Sequence, residues 1–311
     1  MYRGMDFKYG MLHSMMLLYL LGGAAGCSDD NNSGQVDVNQ PESEKELILH
    51  SYAENFSGEV SVYPDSVFFV KGNESGKYQE VWKAYIGKNG STTLTAPKYY
   101  PADNSLIYLR GFVPEGRLAD RMTVTYPMDG QQDIMVTEEQ HGCLTDMFWQ
   151  DTKSFEFVHL LTQLRFRLRL DEKGMTDGWK LRTVVIDGVK QKVTLSLADK
   201  SLLFSGDSNR IMAVNRPRDM FQKLDTAWTE IPETVMVQPG VPLSLTIMLQ
   251  DSLEDQRHYR QLPIVFREEN NRSAPGTSYL LSVTIRTDGT TSLSTSVVEW
   301  KKGNNGIGVI D

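Results

Sequence analysis

The sequence predicts an all-β protein, two antiparallel β-sandwiches in series (residues 46–151 and 152–311) behind a leader (1–26) and a polar tether (27–45). Three observations predict it. Apolar residues recur at every second position in several separate runs, the mark of half-buried strands. Turn-forming pairs, Asn89-Gly90, Asp129-Gly130, Asp187-Gly188 and Asp288-Gly289, punctuate the chain. No long amphipathic helix interrupts the pattern. Residues 217–224, with Pro217 at the first helical position, are the one stretch suited to a short helix.

The leader comes first. Arg3 and Lys8 give a positive start, and residues 11–21 are apolar apart from His13 and Ser14. Gly22-Gly-Ala-Ala-Gly26 then sets small residues directly before Cys27. These parts define a secretory signal peptide, and the apolar run is shorter than the roughly 20 residues of a membrane-spanning helix. Small residues followed at once by cysteine resemble the lipobox of bacterial lipoproteins, which implies acyl chains on Cys27. Two chains on one residue anchor stably where a single chain binds only marginally. Residues 28–44 hold almost nothing to bury and read as a solvated tether. Within it, Ser28-Asp29-Asp30 resembles the signal that sends Bacteroidetes lipoproteins to the outer face of the outer membrane. That implies a lipid-anchored protein exposed at the cell surface.

The body of the chain is globular in composition, at 40% hydrophobic and 23% charged for the whole sequence. A net charge of −8 argues against nucleic acid, which needs a concentrated basic face. With Cys27 acylated, Cys143 has no partner in the chain, so packing alone must hold the fold. Neither the ligand spacing of a zinc site nor a cofactor motif occurs.

The strands follow from periodicity. Leu164, Phe166, Leu168 and Leu170 fall on one face of their run, with Arg165, Arg167 and Arg169 on the other. A helix would wrap both sets around all sides. Val193, Leu195 and Leu197 form a shorter example, and Leu243, Leu245, Ile247 and Leu249 a longer one. The last such run is Tyr279, Leu281, Val283 and Ile285. Asp288-Gly289 separates it from the run beginning at Ser292, which predicts a hairpin.

Phe155-Glu-Phe-Val-His159-Leu-Leu-Thr-Gln-Leu164-Arg-Phe166, an apolar strand, a histidine and then alternation, resembles a signature of the fimbrillin-like proteins of Bacteroidales type V pili. Asp133-Ile-Met-Val136, Tyr99-Tyr-Pro101 with Ile107-Tyr-Leu-Arg-Gly-Phe-Val-Pro114, Pro275-Gly-Thr-Ser-Tyr279 and Ser296-Val-Val-Glu-Trp300 extend the likeness over about residues 46–303. The resemblance implies two transthyretin-like sandwiches and a fimbrial subunit that works in adhesion and assembly. It further implies a trypsin-like cut after the first strand, which opens a groove for a donor strand from a neighbouring pilus subunit. An open groove exposes unpaired backbone groups and an apolar slot, and an incoming strand satisfies both. Here Glu46-Leu-Ile-Leu-His-Ser-Tyr52 matches the first strand, yet residues 53–58 contain no Lys or Arg. That departure favours an anchor or accessory subunit that keeps its lipid. Its first strand would stay in place, with Leu47 and Leu49 facing the core and Ile48 and His50 outward.

No residue is identified as catalytic, and an enzyme is not expected. His50, His141, His159 and His258 lie in four separate segments, and His159 reads as a packed strand residue. His141-Gly142-Cys143 sets thiol and base too close along the chain for reacting geometry. Arg165, Arg167 and Arg169 form the best candidate ligand surface, since three guanidinium groups on one face can hold an anionic glycan. The plainer reading, which we favour, is pairing with acids across the strands or burial of the stems. A surface glycan-binding lipoprotein is the alternative function, with glycans or proteins of host or bacterium as ligands, because fold alone does not fix function.

Overall fold

The computed structural model describes residues 45–53, 66–87, 90–149, 153–171, 178–267, 269–286 and 288–301. Cys27 and Ser28-Asp29-Asp30 lie outside them. The described chain is all-β, with two single 3-10 turns as its only named helices. The strands begin with β1 (Leu49–Ala53), β2 (Val67–Gly72), β3 (Glu80–Ile86), β4 (Ser91–Leu94), β5 (Ile107–Val113), β6 (Leu118–Ala119) and β7 (Thr123–Pro127). They continue with β8 (Met135–Val136), β9 (Gln140–Gly142), β10 (Phe155–His159), β11 (Thr162–Leu170), β12 (Lys180–Ser196) and β13 (Leu202–Asn215). The last are β14 (Gln222–Lys223), β15 (Thr229–Val237), β16 (Ser244–Gln250), β17 (Gln256–Pro263), β18 (Ser278–Ile285) and β19 (Thr291–Val298).

One sheet runs β2-β3-β4-β1-β10-β8-β5-β9, and a further pairing of β2 with β5 closes seven of its strands into a barrel-like ring. Closure removes exposed strand edges. The ring is filled by Leu49, Phe69, Trp82, Leu109, Phe148, Phe155 and Phe157 among others. Phe69 stands edge-on to Phe155 at 5.0 Å and to Phe157 at 6.1 Å. The opposite face of β2 and β5, carrying Phe68, Val70 and Phe112, packs into a second core with Val124, Tyr126, Val193 and Leu195.

The remaining strands form two sheets that share a third core. The four-stranded one is β15-β11-β18-β19, and the other runs β17-β16-β12-β7-β6 with β13 and β14 added to β12. The alternation in β11 and β16 is borne out: Leu164, Phe166, Leu168 and Leu170 meet Leu245, Ile247 and Leu249 in this core. In β18 the same holds for Tyr279, Leu281, Val283 and Ile285, although its other face is covered as well.

The structure corrects three expectations. The sheets are mixed, not purely antiparallel, because β1 pairs in parallel with β10 and β11 with β18. Parallel partners need long connections, and more than a hundred residues separate each pair. Asp187-Gly188 does not turn the chain. It makes a bulge inside β12, with Gly188 at φ 106° and an added Cβ falling 2.6 Å from Pro242 O. Only glycine fits there, and a bulge needs that freedom as much as a turn does. The stretch from Pro217 shrinks to a 3-10 turn at Arg218–Met220 with Pro217 capping it. Sheet membership also crosses the division at 151/152: β10 lies in the first sheet, and β7 pairs with β12.

Candidate functional site

The first strand occupies a slot in the ring between β4 and β10. Leu49 meets Thr92 and His50 meets Ser91 on the antiparallel side, while Ser51, Tyr52 and Ala53 meet Phe155, Glu156 and Phe157 on the parallel side. Just before the strand, Leu47 N donates to Lys98 O at 2.7 Å and Tyr100 N to Lys45 O at 3.0 Å. Ser51 N donates to Gly90 O at 2.9 Å. Alternation then sorts the side chains. Leu47, Leu49 and Ala53 are buried in the ring, whereas Ile48 is 54% exposed and His50 points to solvent. Ser51 also points inward, and it is satisfied by a 2.7 Å hydrogen bond from Thr92 Oγ1.

The walls of this slot are aromatic. Phe155 and Phe157 come from β10 itself, and Phe148 stacks on Tyr100 at 6.0 Å. Tyr100 Oη accepts a hydrogen bond from Phe148 N at 2.7 Å. Gly111 on β5 makes room for the wall, since a Cβ there would fall 2.6 Å from Phe157 Cζ and 2.9 Å from Thr137 Cγ2. Withdrawal of β1 would uncover an apolar trough and leave facing backbone groups of β4 and β10 unpaired. That is the physical requirement for accepting a replacement strand.

A second cluster ties the β2–β3 connection to the second core. Glu139 accepts hydrogen bonds from Ser75 Oγ (2.6 Å), Gly76 N (2.9 Å) and Tyr78 Oη (2.5 Å). Burial alone would raise its carboxyl pKa, but these hydrogen bonds outweigh burial and hold it below the usual value. Burial, together with that carboxylate, pushes the Tyr78 phenol well above its ordinary range. A third cluster fixes the end of the described chain. The Gln163 side chain donates to Lys301 O at 2.5 Å and accepts from Lys301 N at 2.9 Å. Trp300 stacks on His159 at 3.9 Å, and His159 Nδ1 lies 2.8 Å from Asp133 Oδ2. His159 is thus packed.

The arginine stripe lies on the outer face of the four-stranded sheet, in a different sheet from the β1 slot. Neither half of the plainer reading describes it fully. Arg167 Nε donates to Ser282 Oγ at 2.7 Å and Arg169 Nε to Thr284 Oγ1 at 3.1 Å. Both guanidiniums lie 4.5 Å from the centre of the Trp228 ring, and Arg165 reaches Glu299 O at 3.3 Å. Trp228 sits in a connection with no periodic signal, so only the three-dimensional fold reveals it. The thiol of Cys143 meets Thr145 Oγ1 at 3.3 Å, while the His141 ring lies against Tyr108, which brings no base to the cysteine. Among the described residues no group of three or more His, Cys, Asp and Glu could hold a metal ion.

The model of a family described as fimbrillin-like matches residues 66–300. Three solved structures share the fold. A candidate cell adhesion protein from Bacteroides uniformis is 19% identical with a TM-score of 0.58, covering 84% of this chain and 100% of that one. Another from Bacteroides ovatus is 8% identical with a TM-score of 0.56, covering 83% and 99%. A third from Bacteroides fragilis is 12% identical with a TM-score of 0.53, covering 84% and 100%. Among curated proteins, none matches this chain.

Proposed function

The chain belongs to the fimbrillin-like family, and on that premise we propose that it is a cell-surface subunit of a type V pilus that works as an anchor or accessory component. Acyl chains on Cys27 hold it to the outer membrane, and Ser28-Asp29-Asp30 directs it to the outer face. Its halves, 46–151 and 152–311, are variants of the transthyretin-like sandwich that exchange strands at their boundary, the first of them closed into a ring. Its partners are other pilus subunits, joined by strand addition.

One observation carries the anchor reading. β1 fills its own slot with Leu49 fully buried, and residues 54–58 after it contain no Lys or Arg. A trypsin-like protease has nothing to cut there, so the strand and the lipid upstream of it stay joined to the body. A retained strand blocks an incoming donor, which places such a subunit at the end of an assembly. Inserting one arginine within residues 54–58 tests this in cells that carry the processing protease. The variant should lose its lipid-bearing peptide and enter SDS-resistant ladders, while the parent stays out of them. Ladders from the unmodified protein, with a mature N-terminus beyond Gly58, would make it an ordinary stalk subunit. Replacing Cys27 with alanine should abolish palmitate incorporation and release the protein from membranes.

A further inference from the structure

The outer face of the four-stranded sheet presents guanidinium groups from β11 and exposed serines from β19, with the buried hydroxyls of β18 between them. Register sets them side by side: Arg167 and Arg169 on β11 lie beside Ser282 and Thr284 on β18, which lie beside Ser294 and Ser292 on β19. The hydrogen bonds to Ser282 and Thr284 use the Nε–H of each arginine, leaving the terminal N–H groups for another partner. No carboxylate lies within 4.0 Å of any of the three guanidiniums among the described residues, even though Glu230 is the register partner of Arg167. Four other arginines are ion-paired, Arg210 with Asp187, Arg216 with Glu233, Arg218 with Glu254 and Arg286 with Asp171. Arg110, Arg182 and Arg272 reach carbonyl or amide oxygens singly. Among the described residues, only here do three guanidiniums stand together on one strand. In a protein of net charge −8, this is a positive stripe without its counter-charge.

We propose that this face binds an acidic carbohydrate, a polymer of sugars that carry carboxylates, and so supplies the ligand chemistry of the adhesive role proposed above. Charge complementarity calls for an anion, and planar guanidiniums already oriented by Trp228 suit bidentate carboxylates. The exposed hydroxyls of Ser292 and Ser294 on β19 match sugar hydroxyls, while the buried Ser282 and Thr284 of β18 hold the arginines in place. Trp228 at the margin carries both guanidiniums against its ring and so fixes their spacing for a ligand. An acidic peptide fits less well. β11 and β18 are interior strands whose backbones are paired on both sides, so no strand can add to them, and a peptide has no use for the exposed serines.

The experiment measures binding of the full-length protein in detergent to polygalacturonate, with dextran and poly-glutamate as comparison polymers. Polygalacturonate should bind, more weakly as salt rises, while dextran and poly-glutamate should not. The Arg167→Ala/Arg169→Ala double variant, which removes two charge-assisted contacts, should bind at least about tenfold more weakly, and Trp228→Ala, which frees both guanidiniums from their support, several-fold more weakly. Equal binding of poly-glutamate would show plain charge attraction and overturn the proposal. So would undiminished binding by folded variants, or no polygalacturonate binding at all. Should a variant misfold, the choice among the three polymers by the parent protein still decides. The ladder experiment does not involve this face, so the two proposals fail separately.

Discussion

β1 and β11 look alike on paper. Each alternates apolar and polar residues, and each lies between one antiparallel and one parallel neighbour. They differ in how far those neighbours extend. β11 is matched to β18 without a break from Gln163 to Leu170 and to β15 over nearly the same length. β1 touches β4 at Leu49 and His50 and β10 at Ser51, Tyr52 and Ala53, so it has different neighbours in succession and shares no residue between them. Alternation reports which face is buried, whereas the length of the ladder on each side determines whether the strand can leave. β11 is held on both sides along nearly its whole length, and β1 by two or three residues on each side.

The largest test of that difference is truncation in each strand. Phe166→Ala should cost about 3–5 kcal/mol and unfold the third core, read as a large fall in the denaturation midpoint. Leu49→Ala should cost about 2–3 kcal/mol, because a short strand can withdraw and let its site relax. Its signature is local: amide exchange in residues 47–53 should speed up while that of β11 stays slow. Equal, global effects from the two substitutions would erase the distinction.

Acid should sharpen it. The Glu139 carboxyl has a folded pKa below its ordinary 4.5, so the stability it contributes is present above about pH 4.5 and lost as pH falls through the folded value. The Tyr78 phenol is raised above its ordinary 10.0, so its contribution is present below about pH 10 and lost as pH climbs further. The junction between the β2–β3 connection and the second core should therefore loosen before β11 on acidification. Glu139→Gln should flatten the acid limb of the melting profile and Tyr78→Phe the alkaline limb, each at a cost of about 1–2 kcal/mol at neutral pH. The smallest effect belongs to His50→Ala. On the exposed face of β1 it should change stability by less than about 0.5 kcal/mol, which separates loss of inward packing from general damage to the strand.

Much of this was legible in the residues themselves. The buried faces of β11, β16 and β18 follow from period two, as do the inward Leu47 and Leu49 of the first strand, and Asp288-Gly289 makes its hairpin. Asp187-Gly188 misled because a glycine at positive φ serves a bulge and a turn alike, and only the strand across from it tells them apart. The parallel pairings were hidden because they join segments more than a hundred residues apart, beyond any local signal. The same holds for the candidate ligand face. The three arginines stand out in the sequence, but Trp228 and the serines that complete the surface arrive from separate strands and a connection. Gln163 bonds to Lys301, 138 residues away, and no local pattern announces that contact.

The 17 residues of β12 have a mechanical meaning. Leu181, Val184 and Ile186 are set in one core, while Val193 and Leu195 are set in another beside β7. A beam embedded in two walls cannot be drawn from one without straining the other. Denaturant should therefore take both cores in a single transition. A pull that reaches either of these two cores would be shared with the other, instead of unravelling one before the other.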